Sequence, residues 1–177
     1  MQDPEREIGN IVLQLTTSTD ADKQQAAIDR YFTHDASLDH PVVKVNPSID
    51  SRQSILHIFV FYRFGSSRSK LQVLDVVYNP DSMKIFVNIS HEMSQFFNPF
   101  APTHGNMLVQ LDLVKRNKLY YIKVQNDYYM PEELVSLNFP FFVPILNFVK
   151  QRVNVILLTL AVSVLQTWGF WRVSTRR

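Results

Sequence analysis

Residues 31–41 read Tyr31-Phe32-Thr33-His34-Asp35-Ala36-Ser37-Leu38-Asp39-His40-Pro41. Ala27, Ile28, Tyr31 and Phe32 recur at helical spacing, so the stretch opens as the end of a helix running from about residue 21. It closes on His40-Pro41, and a proline disfavours the helical region for the residue before it, which pushes His40 into extended geometry. A helix therefore gives way, after residues 33–36, to a short strand expected over 37–43.

The elements on either side follow from periodicity. Asp3 and Pro4 form an N-cap and a first helical position, and Ile8, Ile11, Val12 and Leu15 mark one face of a first helix that the polar run 16–20 ends. Ser51 can cap a third helix, whose Ile55, Ile58, Phe59 and Tyr62 form one stripe and which Gly65 can stop. Leu56, Val60, Phe61 and Phe64 lie on its other faces, so this helix is expected to be covered on more than one side. Strand signals then dominate. Residues 71–78 end in a turn, 84–97 return with Ile85, Val87, Ile89 and Met93 on one face, and 107–114 and 119–128 make a second hairpin. This order predicts an α+β fold, with helices clustered on one face of a strongly bent antiparallel sheet.

The segment 31–41 and this element order resemble the nuclear transport factor 2-like superfamily, which includes the SnoaL-like and ketosteroid-isomerase-like folds. With its apolar tail, the chain is most similar to the fungal membrane-tailed SigF-like group. The resemblance covers roughly residues 5–133. It implies a cone of three helices packed on a strongly curved antiparallel sheet, around a pocket for a small, often apolar molecule. It also places His40 where ketosteroid-isomerase-like members carry their carboxylate base, and a histidine can act as a base near neutral pH. The positions matching the two oxyanion donors are the apolar Leu15 and Val109, so the usual electrostatic partner of such a base is missing. Ligand-facing residues are expected at His40, His57, Tyr62, His91, Val109, Asn126 and Tyr128. His91 is in phase with the apolar face of its strand; for residues 125–129 the resemblance implies polar groups at the pocket mouth, and the alternative is a polar strand end with Asp127 in a surface hydrogen bond.

Several chemistries are excluded. The chain has 177 residues and no cysteine, which removes disulfides, thiolate catalysis and thiolate metal sites. The histidines show no ligand pair at helical or hairpin spacing, and no glycine-rich phosphate loop or Ser-His-Asp order is present, so no metal or cofactor is expected. The first residues, MQDPEREIGN, lack a signal-peptide pattern.

The formal charge of +2 divides unevenly. Residues 1–133 hold all 16 acids and 13 of the 18 bases, a balance of −3, while residues 134–177 hold five bases and no acid. The body has no basic stripe, so nucleic acid is not an expected partner. The tail points to lipid. Residues 153–171 are 19 consecutive uncharged positions, and a helix of that length spans about 28 Å, close to the hydrocarbon core of a bilayer. Trp168, Trp171 and Arg172 supply one interfacial anchor, Lys150 and Arg152 the other. Residues 134–149 are also uncharged but contain Pro140 and Pro144, and read as an interfacial or re-entrant segment with Phe139, Phe141, Phe142 and Phe148 in the acyl boundary. The segment 153–171 is then a transmembrane or monotopic helix. The competing possibility is that 137–171 fold back as core.

The expected domains are a cone at 1–133 and a membrane-associating tail at 134–177. The leading functional expectation is a membrane-held module that binds a sterol-like or lipid-like molecule, with membrane lipid and an apolar small molecule as partners. The cytosolic face of the endoplasmic reticulum or a lipid droplet is the expected location. The alternatives are an isomerase, cyclase or dehydratase using His40 as base, and a tethered scaffold that homodimerises through the open sheet face.

Overall fold

The computed structural model describes residues 1–65, 70–93 and 103–170. Helix α1 (Pro4–Thr17) starts as expected: Asp3 accepts the Arg6 N–H at 3.3 Å, and Pro4 sits in the first turn, where its missing N–H leaves no bond unmade. Asp20 caps α2 (Ala21–Tyr31) in the same way through the Asp22 N–H. Ile8, Ile11 and Leu15 of α1 and Ala27 and Ile28 of α2 are buried. The buried Gln24 side chain donates to the Leu15 carbonyl at 2.6 Å, satisfying one of the acceptors left open at the end of α1.

Helix α2 runs directly into β1 (Phe32–His40), so the strand begins earlier than the expected residue 37. Pro41 and Val42 then turn the chain into β2 (Val43–Val45), which pairs antiparallel with β1. The single strand expected over 37–43 is thus two, divided at the residue that has no N–H to give a ladder. In α3 (Ser51–Gly65), Ser51 is the first helical residue, and its buried hydroxyl donates to the Ala36 carbonyl at 2.6 Å. Ile55, Leu56 and Phe59 face the core. The expectation of cover on several sides fails: Phe61 and Phe64 are 74% and 73% exposed.

Strands β3 (Lys70–Asn79), β4 (Lys84–Met93), β5 (Thr103–Arg116) and β6 (Leu119–Tyr129) form two successive hairpins. The sheet order is β2-β1-β6-β5-β4-β3, and the β1–β6 pair is parallel, a pairing the order of elements did not announce. Ile85, Val87 and Ile89 of β4 and Val109 and Leu111 of β5 face inward under the three helices. Register shifts interrupt β3 against β4 and β5 against β6, and such bulges bend and twist a sheet into a concave wall. Leu108 and Tyr128, paired across β5 and β6, are exposed on the outer face.

The tail begins with α4 (Pro131–Asn138), which straddles the charge boundary at Glu133. A single 3-10 turn (Pro140–Phe142) follows, then α5 (Val143–Phe148), a π turn (Val149–Val153) and α6 (Asn154–Thr167), which together make one helix of 25 residues. Pro144 lies in the first turn of α5, where proline is tolerated, so it does not break the helix. The helix starts at Val143, ten residues before the expected 153, and ends at Thr167 rather than 171. None of its apolar window is buried, so Val143–Thr167 does not fold back as core. The sequence expectations for Trp171 and Arg172 lie outside the described residues.

Ile28 has no exposed surface. Ile28→Ala is expected to destabilise the cone by about 2–5 kcal/mol, by loss of transfer energy and the void it leaves. Urea unfolding of the full chain in mild detergent, followed by circular dichroism, checks this.

Candidate functional site

The helices and the concave sheet face enclose a cavity of about 560 Å³. Its floor is apolar: Ile8, Leu15, Phe32, Leu111 and Ile122 line it and are almost fully buried. Its mouth lies at the opposite end, where the lining residues Val42, His57 and Phe61 are exposed. The parallel pairing of β1 with β6 fixes this polarity. Both strands start at the floor, with Phe32 opposite Ile122, and end at the mouth, with Asp39 opposite Asn126.

A bulge decides which β6 side chains enter the cavity. Leu113 pairs with Ile122, but the next residue back on β5, Asp112, pairs with Val124, leaving Lys123 as an extra residue. Simple alternation from Ile122 would send Asn126 and Tyr128 inward. The extra residue reverses the phase, and Gln125, Asp127 and Tyr129 line the cavity instead. Asn126 and Tyr128 are therefore placed on the outer side, and of the two readings of Asp127 the structure takes the one at the pocket mouth. No period-2 reading finds this, because the shift exists only in the pairing with β5.

The polar groups converge on the Tyr129 ring. His40 meets it edge-on at 5.3 Å between centroids, and His91 does so at 5.8 Å. The Tyr129 hydroxyl donates to the Met107 sulfur at 2.8 Å, and burial raises its pKa, so it stays neutral. Gln125 donates its amide to both Asp127 oxygens, at 3.0 and 3.2 Å. One such donor does not offset the apolar walls, and desolvation pushes the Asp127 carboxyl up to about 7. Desolvation lowers the pKa of His40, whose Nδ1 accepts the Val42 N–H at 3.3 Å. In the neutral ring this contact favours the proton on Nε2, which can then donate to a bound molecule.

Of the other expected residues, His57, Tyr62 and Val109 line the cavity, His57 at the exposed rim rather than in a buried helix. Leu15 and Val109 present apolar surface to the cavity. His91 lies behind Tyr129, outside the cavity lining, with its Nε2 buried and without a hydrogen bond. Burial lowers its pKa, against the opposing charge of Glu133. Across the ladder stands Gly105, where a Cβ would come within 2.9 Å of His91 Nε2, so only glycine leaves room for the ring. Among the described residues no three His, Asp or Glu side chains gather as a ligand set for a metal.

A cone with an apolar floor and a few polar groups at its mouth defines the class: a nuclear transport factor 2-like pocket protein. The chain belongs to the family described as the SigF NTF2-like domain, whose model matches residues 1–170. No curated protein matches the sequence. Solved structures share the fold at low identity. A protein of ketosteroid isomerase-like fold from Catenulispora acidiphila, in complex with trimethylamine, is 14% identical, with a TM-score of 0.53 over 71% of this chain and 89% of its own. A SnoaL-like family protein from Agrobacterium tumefaciens is 7% identical, with a TM-score of 0.55 over 71% and 97%. SalBIII, an epoxide hydrolase/cyclase-like enzyme in pyran ring formation in the polyether salinomycin, is 16% identical, with a TM-score of 0.52 over 75% and 97%.

The raised carboxyl gives a pH signature. The folded chain keeps the Asp127 proton up to about pH 7, whereas the unfolded chain loses it near about pH 4, so this group makes stability fall as pH rises across that window. His40 and His91, with lowered folded-state pKa values, act in the opposite sense, adding stability above their unfolded value that is lost on acidification. Asp127→Asn removes only the first effect. The difference in melting temperature, variant minus wild type, is expected to grow in the variant's favour from pH 4 to pH 8, as read by a thermal scan at each pH.

Proposed function

We propose that this protein binds a small apolar molecule carrying one polar end, of the sterol or fatty-acyl kind, while held at a membrane by its C-terminal helix. The cavity carries the reading: its volume falls in the range of small-molecule sites, and its apolar floor and polar mouth suit an amphiphile inserted with its hydrocarbon end first. His40 Nε2–H and a protonated Asp127 would then hold the polar end. The exposed 25-residue helix supports membrane attachment by its length and composition. The cytosolic face of the endoplasmic reticulum or of a lipid droplet is the location proposed with it.

Delipidated full-length protein is expected to bind dehydroergosterol or a fluorescent fatty acid saturably, and Val109→Trp, which fills the cavity from its wall, to abolish that binding without unfolding the chain. Absence of saturable binding across a panel of both classes would sink the reading. The protein is also expected to stay in the membrane pellet through a carbonate wash and to leave it in detergent; release by carbonate removes the anchoring part.

One observation favours a second reading, an isomerase or cyclase acting on an apolar substrate. Desolvation pushes the Asp127 carboxyl up to about 7 in an apolar-walled cavity, the property of a carboxyl able to take and return a proton. The base in this reading is Asp127, and His40 is a hydrogen-bond donor to substrate. Asp127→Asn should then remove turnover while ligand binding persists; turnover that depends on His40 and not on Asp127 would overturn the assignment.

A further inference from the structure

We infer that the mouth of the cone opens onto the lipid surface itself, so that the ligand passes between bilayer and cavity beside the exposed Phe61 face of α3 without crossing water. This rests on the membrane-held reading above and adds the orientation of the cone.

Three observations on different elements carry it. The first is where the tail leaves the cone. Strand β6 ends at the mouth with Asp127 and Tyr129, and the chain passes at once into α4, whose Leu134 lines the cavity. The second is a tie between α4 and the long helix: Lys150 Nζ lies 2.6 Å from Glu132 Oε2, and this pair holds the Glu132 carboxyl below its usual range. Lys150 and Arg152 are the last charged residues before the uncharged run of α6, so they mark the level at which headgroups give way to hydrocarbon. From Val153 to the end of α6 at Thr167 the helix has 15 residues, about 22 Å, all beyond Lys150 and Arg152, whose charges keep α5 out of the hydrocarbon core. Residues 139–149, with Phe139, Phe142 and Phe148 exposed, therefore lie at the interface. Since Glu132 is two residues from Leu134, the ion pair sets the cavity rim at that same level.

The third observation is the surface beside the mouth. On α3, His57, Val60, Phe61 and Phe64 follow the i, i+3, i+4, i+7 spacing of one helical face. His57 and Phe61 belong to the cavity lining, and Val60, Phe61 and Phe64 are exposed. Val42, 68% exposed in the turn after His40, stands on the rim with them. Apolar side chains left in water at the rim of an apolar cavity, on the end of the cone that carries the membrane helix, are placed for burial in the acyl boundary.

The chain has no cysteine, so single labels can be introduced cleanly. The full-length protein is reconstituted in phosphatidylcholine vesicles containing doxyl-labelled quencher lipid, with an environment-sensitive fluorophore on Phe61→Cys, on Phe64→Cys, or on Asp81→Cys in the β3–β4 turn at the far end of the sheet. Labels at 61 and 64 are expected to be quenched by the doxyl lipid, and the label at 81 to be unaffected. Equal quenching at 61 and 81 overturns the inference, as does quenching at 61 that follows protein density rather than quencher lipid, which would mean that a second copy covers the face. Dehydroergosterol binding is measured on the same samples. Binding with an unquenched label at 61 removes the portal and leaves the ligand reading standing; a quenched label without binding does the reverse. Phe64→Asp, which is outside the cavity lining, is further expected to slow sterol uptake from vesicles several-fold at unchanged affinity. Uptake at the wild-type rate would also count against entry from the bilayer.

Discussion

Between Ile122 and Val124, β6 carries one residue more than β5 can match, and the character of the pocket follows from that mismatch. A strand alternates its side chains between two faces, so one unmatched residue exchanges the faces for everything beyond it. With the phase unshifted, Asn126 and Tyr128 would face the cavity and Asp127 would point to solvent. With it shifted, a carboxyl, an amide and a phenol line the mouth, while Ile122 on the near side of the bulge remains in the floor. The same irregular stretch faces β1, whose pairing with β6 jumps from Phe32 to Ser37. One local irregularity thus shapes the curved wall and selects the groups presented to a ligand.

The walls then determine how those groups behave. Asp127 has one amide donor, from Gln125, and faces the apolar-walled cavity, so the charged form loses part of the solvation it would have in water. The neighbouring histidines are shifted the other way by the same cause and offer it no firm positive partner. Near neutral pH Asp127 thus passes between its neutral and charged forms, and the mouth can both give and accept hydrogen bonds. Such a site suits a ligand with a hydroxyl or carbonyl at one end better than a strongly charged one. The unpartnered His91 Nε2, packed against Gly105, belongs to the supporting layer behind Tyr129 rather than to the pocket.

The cone and the tail are joined more closely than the charge division at Glu133 suggests. Helix α4 crosses that boundary and contributes Leu134 to the cavity, and the Glu132–Lys150 pair links the last acidic stretch of the cone to the first base of the tail. Exposed ion pairs contribute little stability. The value of this one is geometric, since it sets the height of the rim relative to the apolar helix.

The sequence by itself determined the elements that depend on local chemistry. Asp3-Pro4 started α1, the apolar stripe of Ile8, Ile11 and Leu15 faced the core, Pro41 held His40 in extended geometry, and the paired runs from 71 to 128 made two hairpins; this element order, with the 31–41 segment, carried the resemblance to the superfamily. The resemblance, not local chemistry, implied that His40, His57, Tyr62 and Val109 face the cavity, and all four line it. Only the tertiary structure decided what depends on partners distant in the chain. The parallel β1–β6 pairing, the phase of β6 beyond Lys123, the inward placement of Asp127 and the tie between residues 132 and 150 are relations between segments, and periodicity within one segment carries no record of the register adopted against another.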